Sequence, residues 1–201
     1  MKQIAEIRQI IYSHFQSSNA CQKFFFSDAQ EERFAAYYTS MYLLQDTTES
    51  LMVHRQKGFS TDPFEAYIEF WGVMQAIIIQ QDSICELYWA IKTAKLDCSN
   101  LTSWKKLRKL RNICAGHPAR KSLPKQSPLT RTFMGRSFGD YSSFHYEQWD
   151  KSNSLSIPNS IMDHITHPEV ELGKLIDDYA REAEGKLIEI LQYLKTQWPV
   201  T

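Results

Sequence analysis

Arg111 and His117 stand six residues apart in the run Arg111-Asn112-Ile113-Cys114-Ala115-Gly116-His117. Such a pair can break a phosphodiester in RNA. A histidine, with its ordinary pKa near neutrality, takes a proton from a ribose 2′-hydroxyl. That oxygen attacks the adjacent phosphorus, and a guanidinium stabilises the charge that builds there, its planar fork matching phosphate oxygens. The reaction calls for no metal or cofactor, and DNA lacks the hydroxyl it needs. Each residue also has a structural reading. Arg111 could meet a carboxylate or extend to solvent. His117 could cap terminal helix carbonyls. Arg8 and His14 repeat the spacing, so spacing alone selects neither pair.

The element that carries Arg111 separates it from that second pair. A helix is expected from about residues 100–102 to Gly116, where Gly116 and Pro118 stop it. On its wheel Trp104, Leu107, Leu110 and Cys114 share one face, while Lys105, Lys106, Arg108 and Lys109 lie elsewhere. Arg111 falls within the apolar stripe, about 40° from Leu107, where an unpaired charge is costly. Six helical residues rise about 9 Å and turn the two side chains about 120° apart. They converge if the chain curls at Gly116, or if two copies face each other across a two-fold axis.

Around this helix the charge is uneven. Residues 98–139 contain no Asp or Glu and hold ten of the 23 basic residues, although the whole chain is formally neutral. That suggests an anionic partner, or a basic surface balanced by acidic neighbours. With 43% hydrophobic residues and few Gly or Pro, the 201-residue chain suits a single helical domain. Its four cysteines form no CxxC pair and are read as reduced thiols, mostly core fillers. No apolar run is long enough to span a membrane and no leader is evident, so a cytoplasmic protein is expected.

The remaining elements follow from periodicity and caps. An opening helix runs to about Phe15. Ser27 to Gln30 reads as a capping box for a helix to Lys57, stopped by Gly58. Asp62-Pro63-Phe64-Glu65 starts another helix, to about Lys95, with Phe64, Tyr67, Trp71, Met74, Ile78, Cys85, Tyr88 and Ile91 as its inward stripe. Thr166-His167-Pro168-Glu169 reads as the start of a last helix. Between them, residues 118–159 suggest short strands at 130–137, 143–149 and 154–157. The expected fold is mainly α: a bundle of four to five helices with a small β-hairpin or irregular insertion before the last.

The run RNICAGH at a helix end within such a bundle resembles the signature of the HEPN domains, with Arg111, Asn112 and His117 at the matching positions. The resemblance implies a bundle that often dimerises through the motif helices. It also implies a metal-independent endoribonuclease, commonly a toxin with an antitoxin or other protein partner, or else a non-catalytic module that binds RNA, a nucleotide or a protein. In the catalytic reading His117 moves the proton, Arg111 holds the phosphate and Asn112 orients one of them. Lys105, Arg108, Lys109, Arg120 and Lys121 would track the RNA backbone. A third reading is a helical interaction protein in which Arg111 makes only a structural ion pair.

Weaker candidates carry their own alternatives. His164 and His167 beside Asp163 suggest a metal site, but the helix-start pattern favours capping. Gln80, Gln81, Asp82 and Glu86 are candidate partners for Arg111 or Asn112. His145 and Tyr146 could stack on a base, or simply pack.

Overall fold

A computed structural model describes residues 1–116, 130–150 and 165–200. Six helices dominate it: α1 (Lys2–Ser17), α2 (Asn19–Phe25), α3 (Glu31–Lys57), α4 (Pro63–Lys92), α5 (Thr102–Arg111) and α6 (Leu172–Gln197). Five short strands, β1 (Thr130–Phe133), β2 (Phe144–His145), β3 (Glu147–Asp150), β4 (Ile165–Thr166) and β5 (Glu169–Val170), lie between α5 and α6. The fold is thus a mainly α bundle with a β insertion before the last helix.

The long pair α3 and α4 forms the backbone of the bundle. Asp62 caps α4 as its sequence suggests, accepting hydrogen bonds from the amides of Phe64 and Glu65 at 2.8 and 3.1 Å. Glu65 closes the box through Ser60, whose hydroxyl bridges it to the Asp62 amide. Gly58, at φ 78°, ends α3 in a conformation that glycine tolerates. The two helices run antiparallel: Lys57 meets Glu69, Gln80 meets Thr48, and Arg33 reaches the carbonyls of Ala90 and Ile91.

α6 fills the groove beside them with Tyr179, Ala183, Leu187, Ile190 and Leu194 inward. The Tyr179 hydroxyl donates to Gln80 Oε1 at 2.9 Å, and Gln80 Nε2 donates to Thr48 Oγ1 at 2.8 Å. Every polar tip in this buried line is therefore satisfied, which makes its burial tolerable. α5 has no side-chain cap of its own. Glu182 of α6 supplies one, accepting from the amides of Ser103 and Trp104 at 2.9 and 2.8 Å.

The insertion forms two small antiparallel sheets, β1-β3-β4 and β2-β5. Phe138, Phe144 and Tyr146 are buried, and the Phe144 ring stacks on Phe70 of α4 at 4.5 Å. These residues of the insertion are thus part of the core. Gly139, at φ 90°, permits its tight turn, because a Cβ there would lie 1.9 Å from the Ser143 carbonyl oxygen.

Several sequence expectations are corrected. Ser27 does not cap α3; its hydroxyl donates to the Phe24 carbonyl, and a 3₁₀ turn over Asp28–Gln30 precedes the helix. Residues 166–169 do not start α6. Thr166 ends β4 and Glu169 begins β5, and the helix opens at Leu172. The expected strand at 143–149 is two strands that belong to different sheets. α4 is buried on more than one side, so its inward set includes Phe70, Val73, Ile77 and Leu87, whereas Phe64 and Trp71 are exposed. The strand expected at 154–157 lies outside the described residues.

Candidate nucleic-acid interface at the end of α5

Trp104, Leu107, Leu110 and Cys114 are buried and fix the roll of α5 against the bundle. After Arg111 the helix widens into a π-helical turn over Asn112–Gly116. Such bulges put one extra residue into a turn and are frequent at functional sites. The widened turn is braced from the insertion: the Thr132 hydroxyl donates to the Ile113 carbonyl at 2.7 Å.

This arrangement leaves Arg111 half-buried beside α4. Its Nη2 donates to Gln75 Oε1 at 3.0 Å and its Nη1 to Asn112 Oδ1 at 3.3 Å. Both acceptors are neutral amides, and among the described residues no carboxylate forms an ion pair with it. A salt bridge would have cancelled its charge. Amide dipoles orient the fork and leave that charge in place. Gly116 folds back against the guanidinium, and a Cβ there would stand 2.9 Å from Nη1.

Two of the expected partners of Arg111, Gln81 and Asp82, serve a different arginine. Arg108, one turn earlier, donates through Nε to Gln81 Oε1 at 3.1 Å and through Nη2 to Asp82. Gln81 also donates to the Trp104 carbonyl. Gln80 belongs to the Tyr179 line. Glu86 lines a groove with Cys85 and Trp89.

The basic residues of α5 divide. Lys105 donates to the Ser99 carbonyl. Lys106 and Lys109 line a cleft of about 430 Å³, opposite Glu169, Glu171 and Asp178. Leu110, Ile113, Val170 and Tyr146 also line it, so Tyr146 faces this cleft and is buried rather than displayed. His145 is exposed, and its Nε2 hydrogen-bonds the Ser143 hydroxyl at 2.7 Å. His167 is exposed between β4 and β5. His117, Arg120, Lys121, Asp163 and His164 lie outside the described residues.

The second Arg–His pair is structural. Arg8 is buried and its Nε donates to the Met41 carbonyl at 3.0 Å. His14 is buried too, and its Nε2 donates to the Trp198 carbonyl at 2.8 Å. Those bonds tie α1 to α3 and to the end of α6, leaving neither side chain open for a substrate.

Sequence reasoning missed Gln75, which holds Arg111 from 36 positions away. It stands on the same side of α4 as Phe64, Ile68 and Trp71, which are 65%, 64% and 41% exposed. An apolar stripe therefore leads along α4 toward Arg111. Compared with family models, with curated proteins and with solved structures, the chain matches none.

Proposed function

We propose that the protein is a metal-independent RNA endonuclease of the HEPN type. Arg111 seats the scissile phosphate and His117, next along the chain from Gly116, moves the proton. The observation that carries this reading is the state of Arg111: half-buried, oriented by two amide oxygens, and uncancelled by any carboxylate among the described residues. Two of its roughly five N–H donors are used, which leaves the others for phosphate oxygens. Asn112 acts as the orienting residue, its side-chain oxygen holding Nη1.

The site is completed by a second copy of the chain, packed along the Phe64–Ile68–Trp71 stripe. That stripe is exposed, apolar and continuous with Gln75, so joining two copies along it brings the two copies of Arg111 to one seam. In this reading Lys109, together with Arg120 and Lys121 outside the described residues, would track the RNA backbone. A toxin role with a protein antitoxin belongs to the same resemblance.

The second reading is a module that binds RNA or a nucleotide without cutting it, with a smaller basic face than the sequence offers. Arg108 is committed to Asp82 and Lys105 to the Ser99 carbonyl, so part of the basic array already has partners within the chain. Incubating the protein with mixed RNAs in chelator separates the two. The wild type should cleave, and His117→Ala should slow cleavage about 10²- to 10⁴-fold while still binding RNA. Arg111→Ala should weaken both binding and cleavage. Equal cleavage by His117→Ala rules out the catalytic reading, and RNA binding without any cleavage selects the module.

A further inference from the structure

The end of α4 and the loop before α5 enclose a cleft of about 680 Å³, lined by Cys85, Glu86, Trp89 and residues 95–98. Two of the chain's four thiols meet there, Cys85 from the helix and Cys98 from the loop, both half-buried and reduced. Burial raises Cys85 to about 12, and the charge and hydrogen bond of the adjacent Cys98 push in the same direction. Cys98 also directs its S–H toward the Leu96 carbonyl at 3.9 Å. Cys21 and Cys114 are fully buried and lie outside this cleft.

We propose that Cys85 and Cys98 form a dithiol modification site, which a peroxide converts to an intramolecular disulfide tying α4 to the loop before α5. The cleft admits a small oxidant, and Cys98 reacts first, because burial deprives Cys85 of thiolate. The Cys98 thiolate attacks one peroxide oxygen. The O–O bond breaks and the departing hydroxide leaves as water, so that Cys98 becomes a sulfenic acid. The Cys85 sulfur then attacks the Cys98 sulfur. The S–S bond forms, the S–O bond breaks, and the hydroxyl leaves with the Cys85 proton as a second water. Two thiols lose two electrons and the peroxide gains them. A disulfide needs its Cβ atoms about 3.8 Å apart, and the loop rather than the helix supplies the adjustment.

The test uses the full chain, reduced and then exposed to hydrogen peroxide, alkylated in denaturant and mapped by mass spectrometry. The expected result is the loss of two of the four alkylatable thiols, a linked peptide joining Cys85 to Cys98, and reversal by dithiothreitol. Cys85→Ser should abolish the link and leave Cys98 as a sulfenic acid trapped by dimedone. Phenylarsine oxide, whose arsenic bridges two thiols, should protect both residues in the native protein without any oxidation. The proposal is overturned if all four thiols stay alkylatable or if the link joins two chains. It is equally overturned if Cys98 is oxidised without a link, or if the arsenical protects neither residue.

Discussion

Gly116 has a role that its position at a helix end does not announce. It sits where any side chain would strike the Arg111 guanidinium, 2.9 Å from Nη1. Gly116→Ala should therefore displace the fork from Gln75 and Asn112. On the proposed function, RNA binding and cleavage should fall about tenfold while stability changes by less than about 1 kcal/mol. Gly185→Ala is the control, because nothing lies within 4 Å of its Cβ position. Equal RNA affinity in both variants would show that the guanidinium tolerates the methyl group. That Arg111 stands apart from its basic neighbours was legible, because a charge within an apolar stripe needs a reason. Its partner was not. A helical wheel gives an angle but not the height at which a neighbouring helix crosses. Because α5 runs antiparallel to α4, moving one turn along α5 exchanges Gln81 and Asp82 for Gln75.

Elements declared their interiors better than their ends. Asp62 was readable because aspartate, proline and glutamate agree over four positions. Ser27 and residues 166–169 carry similar patterns, yet one hydroxyl turns back to close α2 and the other segment is taken by strand pairing with β3 and β2. The cap of α5 comes from Glu182, 79 positions later, so no local pattern could show it. The end of α3 also carries a pH dependence. Burial, aided by Lys57 and opposed by Glu69, lowers the pKa of His54. Its Nδ1 shares a hydrogen bond of 2.7 Å with the Tyr141 hydroxyl, which links α3 to the insertion. In the window that runs downward through the ordinary histidine value of about 6.5, the unfolded chain binds the proton more readily than the folded one. Stability from this residue is therefore present above that window and lost as pH falls through it. The melting temperature should drop more steeply from pH 7.5 to about 5.5 in the wild type than in His54→Gln. Parallel curves would remove His54 as the cause.

At the scale of the whole molecule, the neutral net charge conceals a basic α5 packed among acidic partners. Composition exposed that asymmetry, and the fold shows Asp82 pairing with Arg108 while Glu182 caps the amides that open α5. The orientation of α4 was harder to read, since a helix packed against α3, α5 and α6 is apolar on most sides and its outward stripe hides in the pattern. That stripe yields the prediction on assembly. Sedimentation should find a dimer in the wild type and a monomer in Ile68→Glu and Trp71→Glu. Folding should be preserved, because both side chains are exposed. A wild type that sediments as a monomer at high concentration would place the dimer seam elsewhere or nowhere.

The hydrogen bond from Thr132 to the Ile113 carbonyl has a kinetic consequence. Helices form from neighbours in the chain and appear within microseconds, whereas a sheet that draws β1, β3 and β4 together must first close longer loops. The turn after Arg111 gains its brace only when that sheet docks. In a refolding experiment the far-ultraviolet helical signal should therefore return ahead of RNA affinity, and Thr132→Val should widen the interval. Recovery of both signals at one rate would mean that the helix end needs no help from the insertion to take its shape.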